Sequence, residues 1–158
     1  AAYERIRGEE RQLDLTARPP AEGMRELVTF TWRHFLAHPE FISLLNTENL
    51  HRARHLVKSR QIPDMNSTVV AIVGRILAKG ARQGVVRPGI DPLQLYISIA
   101  SLCFFYLSNI HTLTVVFARD LKARPALDRR IEHVVTLVLR GIAAAPGRSP
   151  RLDKKAAL

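Results

Sequence analysis

From Leu93 to Ala118 the chain carries no Asp, Glu, Lys or Arg, and this run opens on Asp91-Pro92-Leu93-Gln94. An N-cap carboxylate, a proline whose missing N–H costs nothing in the first turn, and a glutamine placed to complete a capping box fix a helix start there. The helix continues through Leu95-Tyr96-Ile97-Ser98-Ile99-Ala100-Ser101-Leu102-Cys103-Phe104-Phe105-Tyr106-Leu107. It is apolar all round, which predicts burial on every side by other helices. A run this long also reaches across a bilayer. Ser98, Ser101, Ser108, Asn109, His111, Thr112 and Thr114 dilute it, however, and no second segment offers an intramembrane partner. A central helix that also meets a second subunit accounts for the same apolarity, so no membrane association is expected.

The remaining segments read as helices around it. Tyr3, Ile6, Glu10 and Leu13 share one helical stripe, and nothing in Ala1-Ala2 can cap its start, so the chain is expected to begin within a helix. Pro19-Pro20 closes that segment and opens another, in which Met24, Leu27, Val28, Thr31 and Phe35 align while Phe30, Trp32 and Leu36 widen the apolar surface. That width places the helix centrally in a bundle. His38-Pro39-Glu40 restarts the chain, and Phe41, Ile42, Leu44 and Leu45 lead into a polar helical stretch, Glu48 to His55, which Pro63 is expected to end. Asn66 or Ser67 can cap a helix carrying Val69, Ile72, Val73, Ile76 and Gly80, ending near Gly84. After the turn Val86-Arg87-Pro88-Gly89-Ile90, a last stripe of Leu127, Ile131, Val134, Val135, Val138 and Ile142 starts near Pro125. No strand pattern competes, and the expected fold is an all-α multi-helix bundle.

At 158 residues and 47% hydrophobic side chains, residues 1–144 suffice for one domain with a sizeable core. The net charge of +10 is concentrated late, with nine basic against three acidic side chains between 121 and 158. Residues 145–158 are too poor in apolar side chains to fold and read as a flexible basic tail. Direct nucleic-acid binding by this chain would rest on charge alone, because aromatics are not interleaved with the basic residues. The single cysteine, Cys103, lies in an apolar run and reads as a buried thiol. The first residues lack the pattern of a secretory leader, so a cytoplasmic setting is expected.

The string Trp32-Arg33-His34-Phe35-Leu36-Ala37-His38-Pro39-Glu40-Phe41 with Asn46-Thr47-Glu48-Asn49-Leu50 resembles the C-terminal domain of TetR-like regulators. So does Lys79-Gly80-Ala81-Arg82-Gln83-Gly84-Val85-Val86-Arg87-Pro88-Gly89-Ile90-Asp91-Pro92, followed by the apolar helix and Ser108-Asn109. The similarity runs over about residues 1 to 144, nearly all of the expected core. It implies a homodimer in which the last two long helices of each copy pair as a four-helix bundle. It also implies a pocket in each subunit that reports to an N-terminal helix-turn-helix, which this chain lacks ahead of Tyr3. Operator DNA is therefore expected to be met only through that missing N-terminal domain. Ser98, Phe105, Ile131, Val134 and Val138 are the expected dimer interface.

For the pocket, His34, Asn49 and Arg52 are candidates to project polar groups into a cavity lined by Phe30, Leu45, Ile72, Leu102 and Tyr106. Tyr106 and Asn109 carry polar groups on a buried helix and need a partner from protein, water or ligand. A small, largely apolar effector is expected between the helices starting near Pro20, Asn66 and Pro92. The alternative is a structural dimerisation module with a filled core, which the absence of a cavity of roughly 300 Å³ or more would favour. Glu48, His51 and His55 have metal-compatible spacing, but a di-metal bundle needs a second Glu-x-x-His, so no metal or other cofactor is expected. Ser98, Ser101 and Ser108 lack a nucleophile's strand-turn-helix setting and no phosphate-binding glycine loop occurs, so no enzyme is expected.

Overall fold

The computed structural model describes residues 15–58 and 62–145, without the side chains of Lys58 and residues 62–67. Six α-helices are seen there: α1 (Pro20–Ala37), α2 (Pro39–Leu50), α3 (Ile62–Arg82), α4 (Pro92–Ser108), α5 (Ile110–Val116) and α6 (Arg124–Ile142), with a 3-10 turn at Leu56–Lys58. The helix expected over residues 3 to 15 falls almost wholly outside the described residues, and so does the basic tail beyond Ala144 except for its first residue. Among the described residues there is no strand, only a single antiparallel bridge between Val86 and Ala143. That bridge pins the turn before α4 to the end of α6, and Arg87 reinforces it by donating from Nε to the Gly141 carbonyl at 2.9 Å.

Prolines start the helices as expected. Pro20, Pro39 and Pro92 occupy first-turn positions, and Asp91 Oδ1 accepts from Leu93 N–H at 2.8 Å and Gln94 N–H at 3.4 Å. α1 lies at the centre, where Met24, Leu27 and Val28 are fully enclosed and Trp32 and Phe35 are buried. Around them pack Val69, Val73 and Ile76 of α3, Ile99 and Cys103 of α4, and Val134, Val135, Val138 and Ile142 of α6. Gly80 marks the closest approach: a Cβ there would lie 2.3 Å from Val86 Cγ2, so only glycine lets the turn fold back on α3.

Three expectations are corrected. α2 ends at Leu50, not near Pro63, because Arg52 and Ala53 take left-handed conformations with φ of 56° and 59°. Pro63 lies instead in the first turn of α3, where a proline displaces no helical hydrogen bond, and the helix starts at Ile62, so Asn66 and Ser67 lie within it and do not cap it. Within one chain α4 is not enclosed on every side, since Leu93, Ile97 and Phe105 are exposed. The uncharged run also bends by 68° between α4 and α5, and no single helix among the described residues is long and apolar enough to cross a membrane.

Candidate functional site

Among the described residues, clefts open at three places on this bundle. The first, about 470 Å³, lies between α4 and α6 and is lined by Gln94, Ser98 and Leu102 on one side and Leu137, Gly141 and Ile142 on the other. A second, about 490 Å³, lies between α1 and α6, with Trp32, Leu127 and Ile131 below and Arg33, Arg124 and Asp128 at its rim. The third, about 240 Å³, is framed by Phe35 of α1 and by Leu45 and Asn49 of α2. Its remaining described wall is one side of α4, supplied by Tyr96, Ile97, Ala100, Ser101 and Phe104.

Of the three, the α1–α2–α4 cleft has the chemistry of a small-molecule site: an apolar wall with a few hydrogen-bonding groups. Phe35 and Phe104 meet edge to face, with ring centroids 5.8 Å apart. Asn46 and Ser108 set the spacing of α2 and α4: Asn46 Nδ2 donates to Ser108 Oγ at 3.1 Å, and Ser108 Oγ donates to Asn46 Oδ1 at 3.4 Å. The turn after α2 is closed by Glu48, whose buried carboxylate accepts from the His55 and Leu56 N–H groups at 3.2 Å each and lies 2.6 Å from His55 Nδ1. Burial pushes this carboxyl's pKa up, but the hydrogen bonds from Leu56 and His55 outweigh it and hold the pKa below the usual glutamate value.

The expected pocket residues do not converge on one cavity. Leu45 and Asn49 line the α1–α2–α4 cleft, whereas Leu102 faces the α4–α6 groove and Ile72 belongs to the core. His34 is buried in an aromatic cluster behind Phe35, 4.7 Å from the His38 ring and 5.4 Å from the Phe41 ring, and Phe30 stacks on it at 6.4 Å. Arg52 is exposed in the turn beyond α2. Both polar groups that needed partners find them in protein: Tyr106 Oη donates to the Leu121 carbonyl at 2.9 Å, and Asn109 Nδ2 donates to the Phe105 carbonyl at 2.9 Å. Among the described residues the third wall is α2, not the helix predicted from Asn66, and the volume falls below the roughly 300 Å³ expected of a ligand cavity. The missed wall residues had a legible signal. Tyr96, Ala100 and Phe104 repeat every four positions along one side of α4.

Behind α4, Arg130 of α6 donates from an Nη to the Leu102 carbonyl at 2.7 Å and covers the Tyr106 ring at 5.3 Å. Burial pushes the Cys103 thiol up to about 12, only partly opposed by Arg130, so it is protonated and inert at neutral pH.

The expected interface residues also separate. Ser98 and Phe105 are exposed on α4, Phe105 at 59%, and Ile131 lines the α1–α6 cleft. Val134 and Val138, at 0% and 5%, point into their own subunit's core, which moves the available α6 face to Leu137, exposed at 48%. Within one chain the apolar stripe of α6 that carries Val134 and Val138 packs into the core formed with α1 and α4.

Comparison with known proteins adds two findings. Residues 20–138 match a family model described as tetracyclin repressor-like, C-terminal domain. The chain is also similar to the HTH-type transcriptional repressor NicS of Pseudomonas putida, 38% identical over 133 residues. That alignment covers 84% of this chain and 63% of the relative, so the chain spans less than two thirds of the relative's length.

Proposed function

We propose, from the premise that this chain belongs to the tetracyclin repressor-like C-terminal domain family, that it is the effector-binding and dimerisation part of a transcriptional regulator. The observation that carries the reading is the double use of α4. One side of this helix walls the α1–α2–α4 cleft through Tyr96, Ala100 and Phe104, while another presents Gln94, Ser98 and Phe105 beside the α4–α6 groove. A molecule that wedges the cleft therefore acts on the same rigid rod that meets a partner.

The dimer face in this reading is Gln94, Ser98 and Phe105 of α4 with Leu137 and Gly141 of α6. A Cβ added at Gly141 has no atom within 4 Å, which leaves room for a partner helix to approach closely. Two copies pair α4 and α6 as a four-helix bundle. A helix-turn-helix preceding this chain in the parent protein meets operator DNA, and an effector with unequal affinity for two positions of α4 shifts the spacing of the two heads. Residues 1–144 act as the one regulatory domain, and no catalytic step is assigned to it.

Light scattering on the 158-residue chain tests the dimer. Phe105→Arg and Leu137→Arg are expected to give folded monomers, and unchanged dimers in both would sink this interface. Val134→Arg is expected to unfold the subunit instead, because it places a charge in the core. The modest cleft volume favours a second reading, a structural dimerisation module without a ligand. Ligand-induced thermal stabilisation separates the two.

A further inference from the structure

What the α1–α2–α4 cleft admits follows from what its wall lacks. None of its described lining side chains is an Asp, Glu, Lys, Arg or His, although the chain as a whole carries a charge of +10. An anion entering it would shed water without gaining a counter-charge, and a cation would find no carboxylate. Of the two basic residues expected there, Arg52 lies in the exposed turn beyond α2 and His34 in the aromatic cluster behind Phe35. The residues with hydrogen-bonding side chains are neutral and come from facing helices: Asn49 of α2, whose carboxamide both donates and accepts, and Ser101 and Tyr96 of α4, which carry hydroxyls.

Volume and shape narrow the occupant further. An apolar cavity of about 150 Å³ holds benzene. The 240 Å³ here takes one ring with a small substituent, and a fused bicycle would protrude into solvent. Phe35 and Phe104, 5.8 Å apart at 64°, form an edge-to-face corner that a third ring completes favourably.

We propose that this cleft binds an uncharged single-ring aromatic compound bearing one carboxamide-like or hydroxyl substituent, and discriminates against the corresponding carboxylate. The inference rests on the reading of the cleft as the effector site, and it names the ligand class. Asn49 and Ser101 orient the substituent while the two phenylalanines hold the ring.

The test uses the full 158-residue chain with benzamide, benzoate, toluene and cyclohexanecarboxamide as probes, followed by calorimetry and thermal shift at neutral pH. Benzamide is expected to bind at least about tenfold more tightly than benzoate and than cyclohexanecarboxamide. Asn49 is exposed, so Asn49→Leu is expected to keep the fold, with circular dichroism verifying it, and to weaken benzamide about tenfold while sparing toluene, the size of one lost hydrogen bond. Ala100→Trp fills the cleft and is expected to abolish binding of every probe, with circular dichroism verifying the fold. Benzoate binding as tightly as benzamide, or Asn49→Leu without effect on benzamide, overturns the ligand class but leaves the site standing. Probes that still bind to Ala100→Trp overturn the site itself, and an absence of binding by all four overturns both.

Discussion

Glu48 and Lys79 each gather three partners onto one charged group, and they differ in sign, reach and surroundings. The Glu48 carboxylate is buried and draws in the N–H groups of His55 and Leu56 together with the His55 ring, all within eight residues. The Lys79 ammonium is half-buried and donates to three successive carbonyls, Thr16 at 3.0 Å, Ala17 at 3.1 Å and Arg18 at 2.9 Å, from more than sixty residues away. The first clamp therefore fixes the conformation of one turn beside Asn49. The second fixes where the chain enters α1. Closing a short loop costs little entropy, so Glu48 mainly holds the two left-handed residues it encloses, whereas Lys79 adds a long-range tie to the core.

The entry clamp can be broken most severely through its glycine. A Cβ on Gly23 would lie 2.5 Å from the Leu15 carbonyl oxygen, and the Leu15 side chain is itself fully enclosed, so that backbone has nowhere to retreat. Gly23→Ala is expected to cost about 3 kcal/mol, read from the denaturant midpoint. Lys79→Met keeps the aliphatic stem and loses only the three charge-assisted hydrogen bonds. A smaller loss of about 1 to 2 kcal/mol is expected, because the half-exposed carbonyls can turn to water. The two substitutions act on the same segment, so together they should cost less than their separate losses predict. Unchanged stability in Lys79→Met would remove the long-range half of the comparison.

Neither clamp was visible in the sequence, and the reason is shared. Asp91-Pro92 could be read because a cap acts on its own next turn, and the observed bonds to Leu93 and Gln94 are that local. Pro20 and the stripe from Met24 to Phe35 were legible for the same reason. Glu48 has the spacing of a helical residue relative to His51 and His55, and nothing in Arg52-Ala53 announces left-handed backbone, which usually calls for glycine or asparagine. The turn exists because the buried carboxylate satisfies it in three dimensions. Pro63 was misread because a proline marks either an end or a start, and only the backbone decides between them. Periodicity likewise placed Val134 and Val138 on one stripe of α6 without saying that their own subunit covers it. The cleft was half legible: Leu45 and Asn49 were found, but their partners on α4 share spacing with ordinary core residues.

The Glu48 clamp should yield the smallest global effect and the most specific local one. Glu48→Gln preserves shape but removes the charge, so the oxygen facing the His55 and Leu56 N–H groups becomes a weaker, neutral acceptor and an NH2 group replaces the oxygen beside the His55 ring. The expected result is a nearly unchanged melting temperature, with faster amide exchange at His55 and Leu56. Acid should reproduce this in the unaltered chain. Because the folded carboxyl titrates below its ordinary value, the clamp's contribution is complete above the glutamate range and is lost as pH falls through that lowered value. The tie from Lys79 to the Thr16–Arg18 carbonyls involves no carboxylate. Exchange measured from pH 7 down to about pH 3 should therefore open the turn from His51 to Lys58 while α1 stays protected. In Glu48→Gln the turn should start open and show no further acid step. Equal protection of His55 and Leu56 across that range would mean that the carboxylate is not what holds the turn.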